Sequence, residues 1–249
     1  MSERFSGVRV CILRSGSIEY DKRTRQVARL LSEEGASVTV ISTVRAGSPE
    51  IAIPGAYRVR QVAQLKSSQS PVWAVRVVSN VLRARLRPFL LRRSIVAAAR
   101  QTRPDIVHCM NVDMLATGAR IAGPAPFIYD SREHFASTGE VNRRKRARWL
   151  RAERRYATRA AAVLTVSPLV AQDLARRYSI ATPTVIYNGC EGEPVRPTPV
   201  HTPLRLLHLG KFFFDRNMND LVEVAALLEQ DVTVTFQGWG EAEDELRAQ

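Results

Sequence analysis

Residues 8–43 read VRVCILRSGSIEYDKRTRQVARLLSEEGASVTVIST, and this stretch decides the fold. A short apolar run, 8–13, ends in the turn Arg14-Ser15-Gly16-Ser17; a segment of helical period follows from about Thr24 to Glu34. Gly35 stands where a helix C-terminal stop belongs, and a second apolar run, 37–43, rich in β-branched residues, comes next. Strand, helix and strand in this order describe two parallel strands joined by a helical crossover. Working outward, the alternation continues. Strands are expected at 57–62, 105–109, 127–130, 162–166 and 184–187, and helices at 72–100, 114–122, 142–160 and 168–178. Pro88 is expected to divide the longest helix, because it lacks an N–H and its ring clashes with the preceding turn. Ser167-Pro168 reads as a cap followed by proline at the first helical position. The fold class is therefore α/β: a Rossmann-like parallel sheet wrapped by helices.

The pattern breaks at 191–203, where four prolines (Pro194, Pro197, Pro199, Pro203) fall within thirteen residues without periodicity, as in a linker between domains. A strand at 204–209, a helix at 219–229, a strand at 232–237 and a Gly-Trp-Gly turn then restart the theme. The expected organisation is a first domain at 1–190, a linker at 191–203 and the beginning of a second α/β domain at 204–249. A strand-helix-strand unit of this size leaves a bare sheet edge and little core. It either docks on the first domain or belongs to a domain that continues further.

The chain has 249 residues and a formal net charge of +13, with 45% hydrophobic and 24% charged residues. This is the composition of a folded globular protein, and it excludes disordered and collagen-like classes. Cys11, Cys109 and Cys190 are widely spaced, without a C-x-x-C pair; neither a disulfide framework nor a thiolate zinc site is implied, and a reducing cytoplasm fits best. The N-terminus carries no signal-peptide pattern and no window is long and apolar enough to span a bilayer, so contact with a membrane would be peripheral.

Positive charge gathers in two places. From Arg143 to Arg155, eight of thirteen residues are basic against the single acid Glu153; from Arg76 to Arg103 there are eight arginines and no acid. Arg76, Arg83 and Arg87 form one helical stripe beside Trp73, Val77, Val78, Val81, Leu82 and Leu86, an amphipathic pattern that Arg85 interrupts. Such helices suit an anionic membrane surface, and equally a solvated face packed on the sheet. Nucleic acid is disfavoured, since the 7% of aromatic residues are not interleaved with the basic runs.

For chemistry, the first turn lacks G-x-G-x-x-G, which disfavours an oxidoreductase, although a small Ser-Gly-Ser turn can present backbone N–H groups to a phosphate or a sugar, or bind nothing. Tyr129-Asp130-Ser131-Arg132-Glu133-His134-Phe135 places four ionisable groups at the carboxyl end of a buried strand. Desolvation should keep these groups lining a cleft or at the surface, with His108 from the preceding strand able to join them. No Asp-x-Asp pair, G-x-S-x-G elbow or Walker loop occurs, so a dedicated metal site and the common hydrolase and P-loop chemistries are not expected.

The residues at 8–43, Asp105-Ile106-Val107-His108, Tyr129 through Phe135 and the run from Glu153 to Gly189 together resemble glycosyltransferase family 4, with its GT-B architecture of two Rossmann-like domains. Glu153-Arg154-Arg155-Tyr156, the strand and serine at 160–167, and Val185-Ile186-Tyr187-Asn188-Gly189-Cys190-Glu191 are the most specific part. Beyond the linker, His208-Leu209-Gly210-Lys211 with Arg216-Asn217 is similar to the family's G-R-x-x-x-x-K-G loop with the two cations exchanged, and Gly238-Trp239-Gly240-Glu241 to its G-x-G-P turn. The first turn lacks the family's double glycine, and Arg132 stands where its Y-D-A-H-E motif has histidine, with His134 two places later. The family's paired-glutamate element would fall beyond Gln249.

The resemblance implies retaining transfer of a sugar from a nucleotide-diphosphate donor to an acceptor hydroxyl, without a metal or other cofactor, in glycan or glycolipid synthesis. Gly16, Lys211 and Arg216 would hold the donor. Arg132, Glu133 and His134 would be the catalytic, acceptor-positioning cluster, and Ser15, Ser17 and His108 further acceptor contacts. The acceptor would be a glycan, a lipid or a small molecule, and the place of action the cytoplasm, with peripheral contact at the inner membrane face through the Arg-rich helices. The alternative is a truncated, non-catalytic remnant or a binding module that engages an anionic partner through those helices.

Overall fold

A computed structural model describes residues 4–19, 21–45, 47–48, 57–63, 73–135, 137, 142–189, 192, 196–197, 199–200, 202–213, 217–228 and 232–248, with side chains left undescribed at 73–85 and 87. The chain divides into two compact units, Met1–Gly189 and Cys190–Gln249.

The first unit is built on strands β1 (Arg9–Arg14), β2 (Ser37–Val44), β3 (Arg58–Ala63), β4 (Ile106–Met110), β5 (Phe127–Ser131), β6 (Ala162–Thr165) and β7 (Thr184–Val185). They form one sheet in the order β3-β2-β1-β4-β5-β6-β7, and every pairing is parallel. Helices α1 (Lys22–Glu33), α2 (Trp73–Gln101), α3 (Val112–Ala122), α4 (Arg143–Tyr156) and α5 (Pro168–Tyr178) make the crossovers, with a 3-10 turn after α4 at Ala157–Arg159. The order of strands reverses between β1 and β4, which pair directly from Val10 opposite Ile106 to Arg14 opposite Met110. This is the topological switch point at which open α/β sheets leave a crevice at their carboxyl edge.

Strands buried on both faces need apolar side chains on both, hence the near-continuous runs read from the sequence. One core layer collects Val10, Ile12, Ile18, Ala28, Val38 and Val40 on the α1 face. The other, larger layer includes Cys11, Leu13, Ile41, Leu115, Tyr129 and Trp149 beneath α2, α3 and α4. Gly118 lets α3 approach the sheet: a Cβ there would sit 2.0 Å from the Cys109 sulfur.

Most expected elements are present, and several expectations are corrected. Pro88 does not divide its helix; α2 runs for 29 residues with Pro88 inside. The loss of one N–H leaves a single turn without its bond, and Pro88 is exposed, so its ring avoids the packed face. Helix α1 starts at Lys22, because Asp21 accepts a bond from the Thr24 amide at 3.0 Å and so caps it. Asp130, expected with its neighbours at a cleft or the surface, is fully buried because Arg23 pairs with both of its oxygens. Gly35 does follow the end of α1 at φ +93°, and Ser167 caps α5 with Pro168 at the first turn.

The second unit pairs β8 (Leu204–Lys211) in parallel with β9 (Val232–Trp239), with α6 (Met218–Leu227) between them and α7 (Glu243–Ala248) after. The expected Gly-Trp-Gly turn is largely strand, since β9 continues to Trp239. Both glycines are needed for close backbone approach: a Cβ on Gly238 would lie 1.7 Å from the Gly210 carbonyl oxygen, and one on Gly240 2.1 Å from that of Phe212. Phe212, Met218 and Ala242 form its small core.

Candidate active site

At the carboxyl edge of the sheet, the turn after β1 is tied down by charge. Asp21, buried at the start of α1, accepts bonds from Arg14 Nε and, at 2.5 Å, from Arg132 Nη1 in the loop after β5. Burial alone would raise its pKa. The Thr24 amide, Arg132 and Arg14 outweigh that and hold the carboxyl below its ordinary range. Two guanidinium groups on one carboxylate leave a net positive charge beside Ser15-Gly16. Gly16 adopts φ +89°, a backbone conformation glycine tolerates, and its amide donates to Thr43 Oγ at 2.8 Å, so that N–H is already engaged. Ser15 is partly buried; Ser17 is exposed and accepts from the Glu19 amide at 3.2 Å.

Beneath the turn lies a second ionic group. Arg23 donates from Nε and Nη2 to the two Asp130 oxygens at 2.9 and 3.0 Å, a two-point pair that makes burial of the carboxylate tolerable. Its Nη1 reaches the Ile186 carbonyl at 2.7 Å and the Asn188 side chain at 3.3 Å. Burial raises the Asp130 carboxyl, while His108 and Arg23 lower it and prevail; of these two, only Arg23 is within hydrogen-bonding distance. His108 is itself buried, its Nε2 3.7 Å from Asp130 and without a hydrogen-bond partner among the described residues. It is enclosed within the fold and so, contrary to expectation, is not open to an acceptor.

The expected cluster Arg132, Glu133 and His134 is split. Arg132 turns to Asp21, Glu133 is exposed, and His134 turns the other way to Asp173 on α5, with Nε2 to Oδ2 at 2.7 Å. Asp173 also holds Arg176 and Arg177, and bonds from Arg177, then from His134, keep its carboxyl well below the usual range.

Between these anchors a cavity of about 510 Å³ opens, reaching from Ser15 and Thr43 across Phe89 and Val112 to Trp149 and Arg148. Trp149 is held on two sides: Phe135 meets it edge-on at 5.1 Å between centroids, and its Nε1 donates to Asp113 at 2.7 Å. On α4, Arg143, Arg144, Lys145, Arg148, Arg151, Arg154 and Arg155 are exposed. The one acid of that run, Glu153, turns inward and accepts bonds from Tyr129 and Tyr178 at 2.5 and 2.7 Å, so it neutralises none of them. Burial raises its pKa.

A family model described as Glycosyltransferase Family 4 matches residues 22–193, more than half of the chain. The chain belongs to glycosyltransferase family 4. No curated protein matches this family 4 chain in sequence. Among solved structures, it superposes on sucrose-phosphate synthase from Thermosynechococcus elongatus with a TM-score of 0.65 at 13% identity, covering 92% of this chain and 62% of that one. The HepE protein of Anabaena, determined with UDP and glucose, gives 0.61 at 14% identity, with 97% and 64% covered. Arabidopsis thaliana UGT89C1, determined with quercetin, gives 0.53 at 10% identity, with 93% and 68% covered. These likenesses show the GT-B type of Rossmann-like fold, and the chain spans somewhat under two thirds of the first two structures' chains.

In the second unit of this family 4 chain, Lys211 ends β8, exposed, with Nζ 5.7 Å from the Phe213 ring centroid and 6.0 Å from that of Trp239. Arg216 lies outside the described residues. Among the described residues no three His, Cys, Asp or Glu side chains gather as metal ligands, and no helix is long and apolar enough to cross a membrane. Arg14, Asp21 and Arg23 were missed as site residues in the sequence. The acid just before an apolar helix was a cap signal, but nothing local announced that two arginines from elsewhere would share it.

Proposed function

We propose that the intact enzyme moves a sugar from a nucleotide-diphosphate donor to an acceptor hydroxyl, with retention at the anomeric carbon and without a metal ion. The observation that carries this reading is the cavity at the carboxyl edge of a family 4 sheet, beside the switch point and under a surplus of positive charge. The acceptor, a glycan, lipid or small molecule, lies with its hydroxyl near Ser15 and Thr43. Its oxygen bonds to the anomeric carbon on the face from which the diphosphate departs. The carbon–oxygen bond to the diphosphate breaks, and the acceptor proton passes to the departing oxygen. Charge and protons then balance without a protein nucleophile.

Lys211 and Arg216 offset the negative charge that grows on the diphosphate, the task a metal performs in other transferases; the chain contains no Asp-x-Asp pair for such an ion. Gly16 keeps the β1 turn close to the ligands. Arg132 and Arg14 add positive potential there, while Ser17 and Glu133, both exposed, orient the acceptor; His134, held by Asp173, stays outside this group. The free, buried thiols of Cys11 and Cys109 suit a reducing compartment, the cytoplasm. The seven exposed cations of α4 offer a face to an anionic membrane, testable by co-sedimentation with anionic and neutral vesicles at rising salt.

The test of the reaction is incubation of the full chain with labelled nucleotide-sugars and candidate acceptors, reading the anomeric configuration of the product by NMR with and without a chelator. Retention and an unchanged rate are expected. Inversion, or loss of the product with chelator, would overturn the proposal.

A further inference from the structure

The cavity beside the turn does not end at Phe89 and Arg92. Both residues also line a second cavity of about 430 Å³ further along the groove between α2 and α3. Its apolar floor is Val96 and Ala97, and its rim is Arg92, Arg93, Arg100 and Arg120. On α2 the positions 89, 93, 96, 97 and 100 recur at helical spacing, so Arg93 and Arg100 share one face with the floor. Arg120 comes from the last turn of α3.

Among the described residues no carboxylate pairs with any of the four. Arg92 spends one Nη on the Ala116 carbonyl at 3.2 Å, while its Nε is buried without a hydrogen-bond partner. Arg93 stacks on Phe89 at 5.6 Å. Helix dipoles account for part of this, since Arg100 and Arg120 lie in last turns where cations are favoured. They do not account for Arg92 and Arg93, nor for the convergence of four like charges on one hollow. Gathering those charges costs Coulomb energy that an anion would recover.

We propose that this cavity binds the phosphate group of a soluble ligand. On the transfer reaction proposed above, on which this part rests, the ligand is the acceptor, lying in the groove with its phosphate among the arginines and its hydroxyl toward Ser15. A phosphate fits better than a carboxylate: it offers three oxygens and up to two charges to several guanidinium forks. A concave, apolar-floored hollow also suits a discrete ligand better than a flat lipid surface.

The test is calorimetric titration of the full chain, in a Lys211→Ala/Arg216→Ala background that removes both proposed donor cations, with inorganic phosphate, glycerol 3-phosphate and uncharged glycerol. Saturable binding of both phosphates and none of glycerol is expected. The triple variant R93Q/R100Q/R120Q, all exposed positions, should weaken it by about tenfold or more. The triple R143Q/R144Q/R151Q on α4, with the same loss of net charge, should stay within about twofold. Thermal melts of both triples confirm folding.

Absence of saturable binding, or equal weakening by both triples, would overturn the site. So would a groove triple that loses binding to phosphatidylglycerol vesicles while free phosphate fails to bind, since the arginines would then serve a membrane. Nucleotide-sugar binding to the chain with Lys211 and Arg216 intact reads the transferase reading separately: donor binding without phosphate binding sinks the phosphate site alone.

Discussion

Arg23, in the first turn of α1, and Asp130, near the end of β5, are 107 positions apart in sequence and share a two-point ion pair at 2.9 and 3.0 Å with Asp130 wholly buried. The pair ties the first turn of α1 and the end of β5 to the segment at Ile186 and Asn188. Removing one partner strands the other as a buried charge. Arg23→Met or Asp130→Leu alone should therefore cost about 3–5 kcal/mol, and the double variant should recover much of it. Denaturant unfolding of the three variants checks this. The folded pKa of Asp130 is depressed, so its contribution is present above the unfolded value of about 3.9 and lost as pH falls through the lower folded value. The Asp130→Leu variant should lack that part of the acid transition.

Glu153 carries the opposite sign. Its folded pKa is raised by burial, so its stabilising contribution is complete below the unfolded value of about 4.3 and is lost as pH rises through the folded one. Glu153→Gln keeps one acceptor oxygen for a tyrosine hydroxyl and offers the other tyrosine an N–H to accept, so it should change neutral-pH stability by no more than about 1 kcal/mol while flattening its pH dependence. Glu153→Ala should cost about 2–4 kcal/mol, since it opens a hole and orphans two tyrosine hydroxyls. Thermal melts between pH 4 and 8 separate the two outcomes.

Lys211 is the described cation assigned to the donor. Lys211→Ala should lower the rate of transfer by the intact enzyme on the order of 10²-fold while leaving the melting temperature almost unchanged, because the side chain is exposed. Initial rates against donor concentration decide it; an undiminished rate removes Lys211 from the mechanism.

In the second unit, Gly238→Ala has nowhere to put its methyl group, which would meet a backbone carbonyl at 1.7 Å. A loss of about 1–3 kcal/mol is expected, with Gly189→Ala, whose Cβ meets nothing within 4 Å, as the near-neutral control. Hydrogen exchange along β8 and β9 localises the effect.

The thiols give a fifth prediction. Desolvation pushes the Cys11 pKa up to about 12, and burial drives Cys109 higher still. In a Cys190→Ser background both should react with a thiol reagent at neutral pH only after unfolding, because almost no thiolate is present in the folded chain. Rapid labelling of the native protein would contradict their burial.

The parallel sheet was legible in the sequence because each strand needed apolar residues on both faces and each crossover a helical period, and both are local patterns. Gly35 and the Ser167-Pro168 cap were legible for the same reason. The effect of Pro88 was not, since whether a helix survives a proline depends on which side of it is packed. The charged run after β5 was visible as a group, yet its members part company. Arg132 is drawn to a carboxylate from α1, His134 to one from α5, and Asp130 inward to Arg23.

The sequence by itself thus determined the α/β class, the excess of arginine and the likeness to glycosyltransferase family 4, all carried by composition, period and short motifs. Only the tertiary structure decided which charges meet. Ion pairs join residues from distant parts of the chain, and the energy of a charge is set by what lies within a few ångströms of it. Glu153 shows the consequence: by sequence it was the lone counter-charge of a basic run, and in the fold it faces two tyrosines, leaving the exposed arginines of α4 without it.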